Sequence, residues 1–205
     1  MKNRNFNSPS LLTPAWGVLV LWTFSQLTKE EQLRVENIIG MGISWSTMLR
    51  VFEPKTKGRL EDEILRNLAD VFESREKYIE YHTAFCEWGM KNIKQNKRFP
   101  SDKASYGQIA KTLDVTLKVA IYYCHLPDCE TSKRICQWLN AAVDTNMMSD
   151  LQEAFHPEPP LPTSMKEVNK SAYDKIQSLV RESMKLERYD NPLQWEDIHY
   201  KEANE

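Results

Sequence analysis

Chemistry in this chain would begin at Arg75 and His82. The two stand seven residues apart, two helical turns, so on one helix both side chains leave the same face. A guanidinium holds a phosphate through two parallel hydrogen bonds, and an imidazole titrates near neutral pH and can move a proton. A second set of groups could take a metal. His82 and Cys86 share a helix face at i, i+4, Cys124 adjoins His125, and Cys129 and Cys136 lie just beyond. No tight Cys-x2-Cys knuckle is present, and buried free cysteine is common in helical cores, so no metal and no cofactor are expected. A third set is basic: Lys91, Lys94, Lys97, Arg98 and Lys103 surround the Phe99-Pro100 break, and Lys55, Lys57 and Arg59 form a second basic loop. Brought together they would make a phosphate-binding strip; apart, they are solvated charges, those near a helix C-terminus favoured by its dipole.

The stretch Arg75-Glu76-Lys77-Tyr78-Ile79-Glu80-Tyr81-His82 resembles the R-x4–6-H signature of HEPN-family helical ribonucleases. The resemblance implies two such helices meeting across a dimer, with Arg75 on the scissile phosphate and His82 at the 2′-hydroxyl. Read as structure alone, Arg75 is an exposed first-turn residue and His82 a histidine at the edge of the core. Further on, Ile109-Ala110-Lys111-Thr112-Leu113-Asp114-Val115-Thr116 is similar to the turn of a DNA-binding helix-turn-helix, with Asp114 where a glycine usually stands. A recognition helix must offer polar side chains to base edges. This one would offer Leu117, Val119, Ala120, Ile121, Tyr122 and Tyr123, with Lys118 as its one cation. Taken as a continuous helix, Tyr106, Ile109, Ala110, Leu113, Leu117, Ala120, Ile121 and Cys124 form an unbroken apolar seam, and Val115, Val119 and Tyr122 a second stripe. A helix apolar on more than one face belongs at the centre of a bundle.

The elements that must position these groups read as helices. The chain of 205 residues has 6 glycines, where average usage would give roughly fourteen. Hairpin turns and phosphate-cradling loops depend on glycine for positive φ, so β-sandwiches and P-loop enzymes are excluded. No GxGxxG, G-x4-GK[ST], HExxH or nucleophile-elbow pattern occurs. Thr28-Lys29-Glu30-Glu31 is a capping box opening a helix that stops at Gly40, and Gly40-Met41-Gly42 reads as a turn. Ser44 to Phe52 reads as a short helix. An apolar stripe from Leu60 to Phe72 reads as one helix, and Ser74 caps the next. Pro100 ends that stretch, with Ser101 or Asp102 capping another, and Pro127 marks a later boundary. Ser164-Met165-Lys166-Glu167 is a second capping box, and the tail from Tyr189 reads as irregular, docked by Trp195. Glycines 17, 89 and 107 fall inside helices, where each costs about 1 kcal/mol against alanine, and mark close helix–helix approach.

The expectation is an all-α, single-domain bundle of about seven to nine helices around a buried central helix, 101–125. Residues 1–12 form a loose N-terminal arm, 13–155 the helical core, 156–163 a Pro-rich loop, and 164–205 a C-terminal helix and tail packed on the core. The apolar run Trp16–Phe24 is too short to span a bilayer and, after Thr13-Pro14, reads as a buried helix rather than a signal core. The net charge of −2 gives no global pull toward nucleic acid or an anionic membrane. The four cysteines lack a disulfide framework and suit a cytoplasmic setting. The function read from this is a non-enzymatic helical interaction or regulatory protein, with a protein partner or a second copy. The alternatives are a metal-independent HEPN-like ribonuclease using Arg75 and His82, and a nucleic-acid-binding protein using Lys91, Lys94, Lys97, Arg98 and Lys103.

Overall fold

Local sequence signals set most helix starts. The computed structural model describes residues 26–96 and 103–202. Thr28 accepts from the Glu31 amide while Glu31 returns a bond to the Thr28 amide, and the box opens α1, Lys29–Trp45. A single 3-10 turn, Met48–Arg50, leads to α2, Thr56–Arg66, and α3, Leu68–Glu73. Ser74 accepts from the Lys77 amide and starts α4, Arg75–Asn92. Ser105 and Gln108 form a second box for α5, Tyr106–Leu117, which runs directly into a π-helical segment, Lys118–Tyr123. Asp128 caps α6, Cys129–Cys136, and Asp144 caps α7, Thr145–Phe155. Two late helices follow, α8, Lys170–Glu187, and α9, Pro192–Glu202. The described residues are all-α, with one isolated bridge between Phe52 and Gln95.

The central helix is where the apolar seam places it. Ile109, Ala110, Leu113, Ala120 and Ile121 are fully enclosed, and α1 and α4 pack along α5. No helix-turn-helix turn exists at Asp114; the backbone is helical through it, because the seam on both sides is buried. Glycine permits the closest contacts. A Cβ on Gly42 would lie 2.7 Å from the Thr116 Cα, and one on Gly89 2.5 Å from the Ile109 side chain. Gly107 faces Val168 in the same way.

Five expectations need correction. Gly40-Met41-Gly42 is not a turn: α1 continues to Trp45, and Gly42 gives it backbone contact with α5. The short helix expected from Ser44 to Phe52 is only the 3-10 turn, since Ser46 ends α1 and Thr47 has φ 61°. The Leu60–Phe72 stripe is divided at Asn67 into α2 and α3. The box expected at Ser164 opens no helix. The carbonyls of Met165 and Val168 accept from the Ser105 hydroxyl and the Gly107 amide, so this backbone is used at the start of α5, and Asn169 caps α8 instead. The tail is helical rather than irregular: Asn191 accepts from the Leu193 and Gln194 amides, and α9 buries Trp195. The expected arm 1–12, the helix from Pro14 to Phe24, Gly17, and the caps at Ser101 and Asp102 lie outside the described residues. No helix among those described is long and apolar enough to cross a membrane.

Candidate functional site

Helices α4 and α8 form two walls of a cleft of about 280 Å³. Arg75, Tyr78, Ile79, His82 and Thr83 come from α4, and Lys170, Tyr173, Asp174, Gln177, Ser178 and Arg181 from α8. Both sets follow three- and four-residue steps, so each helix gives the cleft one face. The helices run antiparallel here. His82 stacks on Tyr173 with ring centroids 5.2 Å apart, whereas Arg75, two turns earlier on α4, approaches Arg181, two turns later on α8. Trp138 and Asn140, after α6, close the Arg75–Arg181 end, and Tyr106 of α5 lies at the floor.

Beneath the cleft is a buried polar cluster joining three helices. His82 Nε2 donates to Asp114 Oδ1 at 3.0 Å and lies 3.1 Å from the Tyr173 oxygen, and the Tyr173 hydroxyl donates to Asp114 Oδ2 at 2.7 Å. His82 Nδ1 lies 3.8 Å from Cys86 Sγ. The residues are sealed: His82 is 3% exposed, Asp114 2% and Cys86 0%. Burial disfavours charge on His82, but the Cys86 sulfur and the Asp114 carboxylate outweigh it and push its pKa up to about 10. Burial, reinforced by Asp114, also raises the Tyr173 phenol well above its ordinary value. At neutral pH the cluster is an imidazolium on a carboxylate, with Tyr173 a neutral donor.

This geometry restricts the chemistry. A general base needs a free nitrogen within hydrogen-bond reach of the substrate proton. Both His82 nitrogens are engaged inside the fold, and the ring is protonated. Cys86, His82 and Asp114 have the connectivity of a nucleophile, a base and an orienting acid. The cysteine, however, is fully enclosed and does not line the cleft. The cluster therefore braces α4, α5 and α8 as a neutralised ion pair beneath the cleft floor. The Arg75–His82 face exists as the spacing requires, with Arg75 exposed at the rim and His82 in the core.

Other cleft groups stand out by their partners. Arg181 Nη2 donates to the carbonyls of Trp138 and Leu139, each at 3.1 Å, and to Asn140 Oδ1 at 3.2 Å, closing the chain end that leaves α6. Asp174 pairs with Lys170 at 2.7 Å. Arg75 has no ion pair among the described residues.

The basic residues are only partly accounted for. Lys91, Lys94 and Lys103 are exposed near the end of α4, and Lys97 and Arg98 lie outside the described residues. Lys57 and Arg59 stand in the first turn of α2 rather than in a loop, and this segment is brought beside the chain that leaves α4. The Glu53 amide donates to the Lys94 carbonyl, the Asn96 amide to the Val51 carbonyl, and Arg59 to the Asn92 carbonyl. Acidic neighbours sit among them: Glu53 pairs with Arg59 at 3.0 Å and Glu61 with Lys57 at 3.7 Å.

A second groove, of about 510 Å³, runs between α1, the π segment and α9, with Trp45, Tyr123 and Tyr200 on its walls. Its charges balance. Lys118 pairs with Glu196 at 2.7 Å and with Asp197 at 2.6 Å, and Lys111 with Asp144 at 3.9 Å. Burial raises the Glu196 carboxyl despite its lysine, while the two carboxylates overcome burial to hold Lys118 above its ordinary range.

Among the described residues, no group of three or more His, Cys, Asp or Glu side chains is gathered as a metal would require. The residues that sequence reasoning missed are Asp114, Tyr173 and Arg181. A signal existed for Asp114, a charged residue inside an otherwise apolar seam, which must find a buried partner. The chain matches no family model, no curated protein and no solved structure.

Proposed function

We propose that the protein is a non-enzymatic helical interaction or regulatory module in which the α4–α8 cleft serves recognition rather than catalysis. The observation that carries this reading is the commitment of both His82 ring nitrogens to Asp114, Tyr173 and Cys86. A HEPN-type reaction needs an imidazole nitrogen about 2.6–3.2 Å from the proton it moves, and here such a nitrogen would first have to leave a buried ion pair. The enclosed Cys86 supports the same reading, since it offers no nucleophile to the cleft. A cytoplasmic setting belongs to the proposal and is supported by four cysteines without a disulfide.

The test is direct. Purified protein, with Arg75→Ala and His82→Asn variants beside it, is incubated with single-stranded and structured RNAs, with and without divalent cations. The expected result is no cleavage above background by any of the three. Cleavage by the natural protein that disappears in His82→Asn would overturn the reading and restore the ribonuclease.

A further inference from the structure

The chain carries a net charge of −2, yet the α4–α8 cleft is cationic. Arg75, Lys170 and Arg181 line it against a single lining carboxylate, Asp174. The opposing carboxylates are already engaged, Asp174 with Lys170 at 2.7 Å and Asp114 with His82 at 3.0 Å. That leaves Arg75 and Arg181 together at one end, with no carboxylate in ion-pair range among the described residues. Asp174 cannot serve them, because seven residues of α8 separate it from Arg181, about 10 Å along the axis. Burial lowers the Arg181 guanidinium below its ordinary value, and the like charge of Arg75 adds to that.

Donors without acceptors gather at the same end. The buried Trp138 indole N–H has no acceptor among the described residues. The Asn140 side chain gives its oxygen to Arg181, which leaves its NH2 group as a donor. Arg181 spends Nη2 on carbonyls and one Nη1 hydrogen on the Gln137 carbonyl at 3.4 Å, while its Nε–H has no protein acceptor among the described residues. Arg75 is exposed and lines the rim of the cleft. Two cations and several N–H groups with no anion between them form a site for an oxyanion.

We propose that the Arg75–Arg181 end of the cleft binds the phosphate of a small phosphomonoester. A phosphomonoester carries about −1.5 to −2 charges at pH 7 and three acceptor oxygens, which matches two guanidiniums and the adjoining N–H donors. A carboxylate brings one charge and two oxygens. The remaining cleft, passing Ile79 and Ser178, holds a small organic body within about 280 Å³. A polymer strand would have to leave that space. This assignment rests on the cleft being a recognition site and names what it recognises.

The experiment is calorimetric titration at fixed ionic strength with inorganic phosphate, glycerol 3-phosphate, acetate and a short RNA oligomer lacking terminal phosphates. Saturable one-to-one binding of the first two is expected, with acetate at least about tenfold weaker. Arg75→Ala should weaken phosphate binding about tenfold or more while melting at an unchanged temperature. Arg181→Lys, which keeps the charge but loses the planar fork, should also weaken it. A Lys91→Ala, Lys94→Ala double variant, outside the cleft, should bind as the natural protein does. Absence of saturable phosphate binding, acetate binding as tight as phosphate, or undiminished binding by Arg75→Ala overturns the assignment. So does tighter binding of the RNA oligomer than of glycerol 3-phosphate, which would give the cleft to nucleic acid. Failure here with no RNA cleavage leaves the recognition reading standing, whereas His82-dependent cleavage removes that reading itself.

Discussion

Asp114 and Lys118 sit one turn apart on the central helix, and each holds a different late helix by a buried charge. The two attachments are built differently. Asp114 lies at the closed end, where His82 and Tyr173 use both its oxygens and three helices meet. Lys118 lies at the open end, bridging Glu196 and Asp197, and the Asp197 side chain keeps 32% of its surface in solvent. Water reaches one partner of the outer pair freely, whereas the inner cluster is nearly closed to it, His82 being 3% and Tyr173 5% exposed. A buried ion whose partner is removed has no solvent to turn to, while a half-exposed one does. The inner cluster is thus tied to the stability of α4, α5 and α8 together, and the outer pair to the docking of α9.

The largest expected effect tests that difference directly. Asp114→Ala leaves the His82 imidazolium and the Tyr173 hydroxyl without an acceptor, and should lower unfolding free energy in urea by about 3–5 kcal/mol. A loss no greater than that of Lys118→Met would abolish the distinction. Lys118→Met keeps the stem packed and removes the charge. Glu196, already raised by burial, is raised further without its lysine, and the cost should be about 1–2 kcal/mol. Hydrogen exchange should quicken in α9 more than in α8; equal quickening would join the two attachments into one unit.

The smallest effect is a slope with pH. The folded pKa of His82 is raised above its unfolded value of about 6.5, so the folded state binds the extra proton between the two values. Stability from this group is fully present below pH 6.5 and is lost as pH rises through about 10. The unfolding free energy from urea titration should therefore fall between pH 7 and pH 8, by at most about 1.4 kcal/mol. His82→Asn should flatten that slope, and Lys118→Met should retain it. A slope that persists in His82→Asn assigns the proton elsewhere.

The helical class and the central helix were legible because they depend on local signals: scarce glycine, the Thr28 and Ser74 caps, and the apolar seam from Tyr106 to Cys124. Gly89 and Gly107 were legible as close approaches, since a helical glycine that costs stability needs a packing reason. Gly42 was misread, because its partner is the backbone of Thr116, remote in sequence. The Ser164 box misled for the same reason: its pattern is helical, but the start of α5 takes its carbonyls. At the site, the shared face of Arg75 and His82 follows from spacing. The locking of His82 does not, because Asp114 and Tyr173 are separated from it by 32 and 91 residues. Arg181 was invisible as a cleft residue, because its place depends on how the chain leaves α6.

The π segment sets a further constraint on the outer attachment. Within Lys118–Tyr123 the chain winds one residue more per closed turn than α geometry would, which amounts to an insertion into the register of the central helix. Removing a single residue there would return the helix to its usual pitch and swing Tyr123 by roughly 100° about the axis. Its hydroxyl now donates to Asp197 at 2.7 Å, and after such a shift it would point away from α9. The angular phase of this one helix thus determines where the last helix can dock, so the segment is intolerant of length change even where it tolerates substitution.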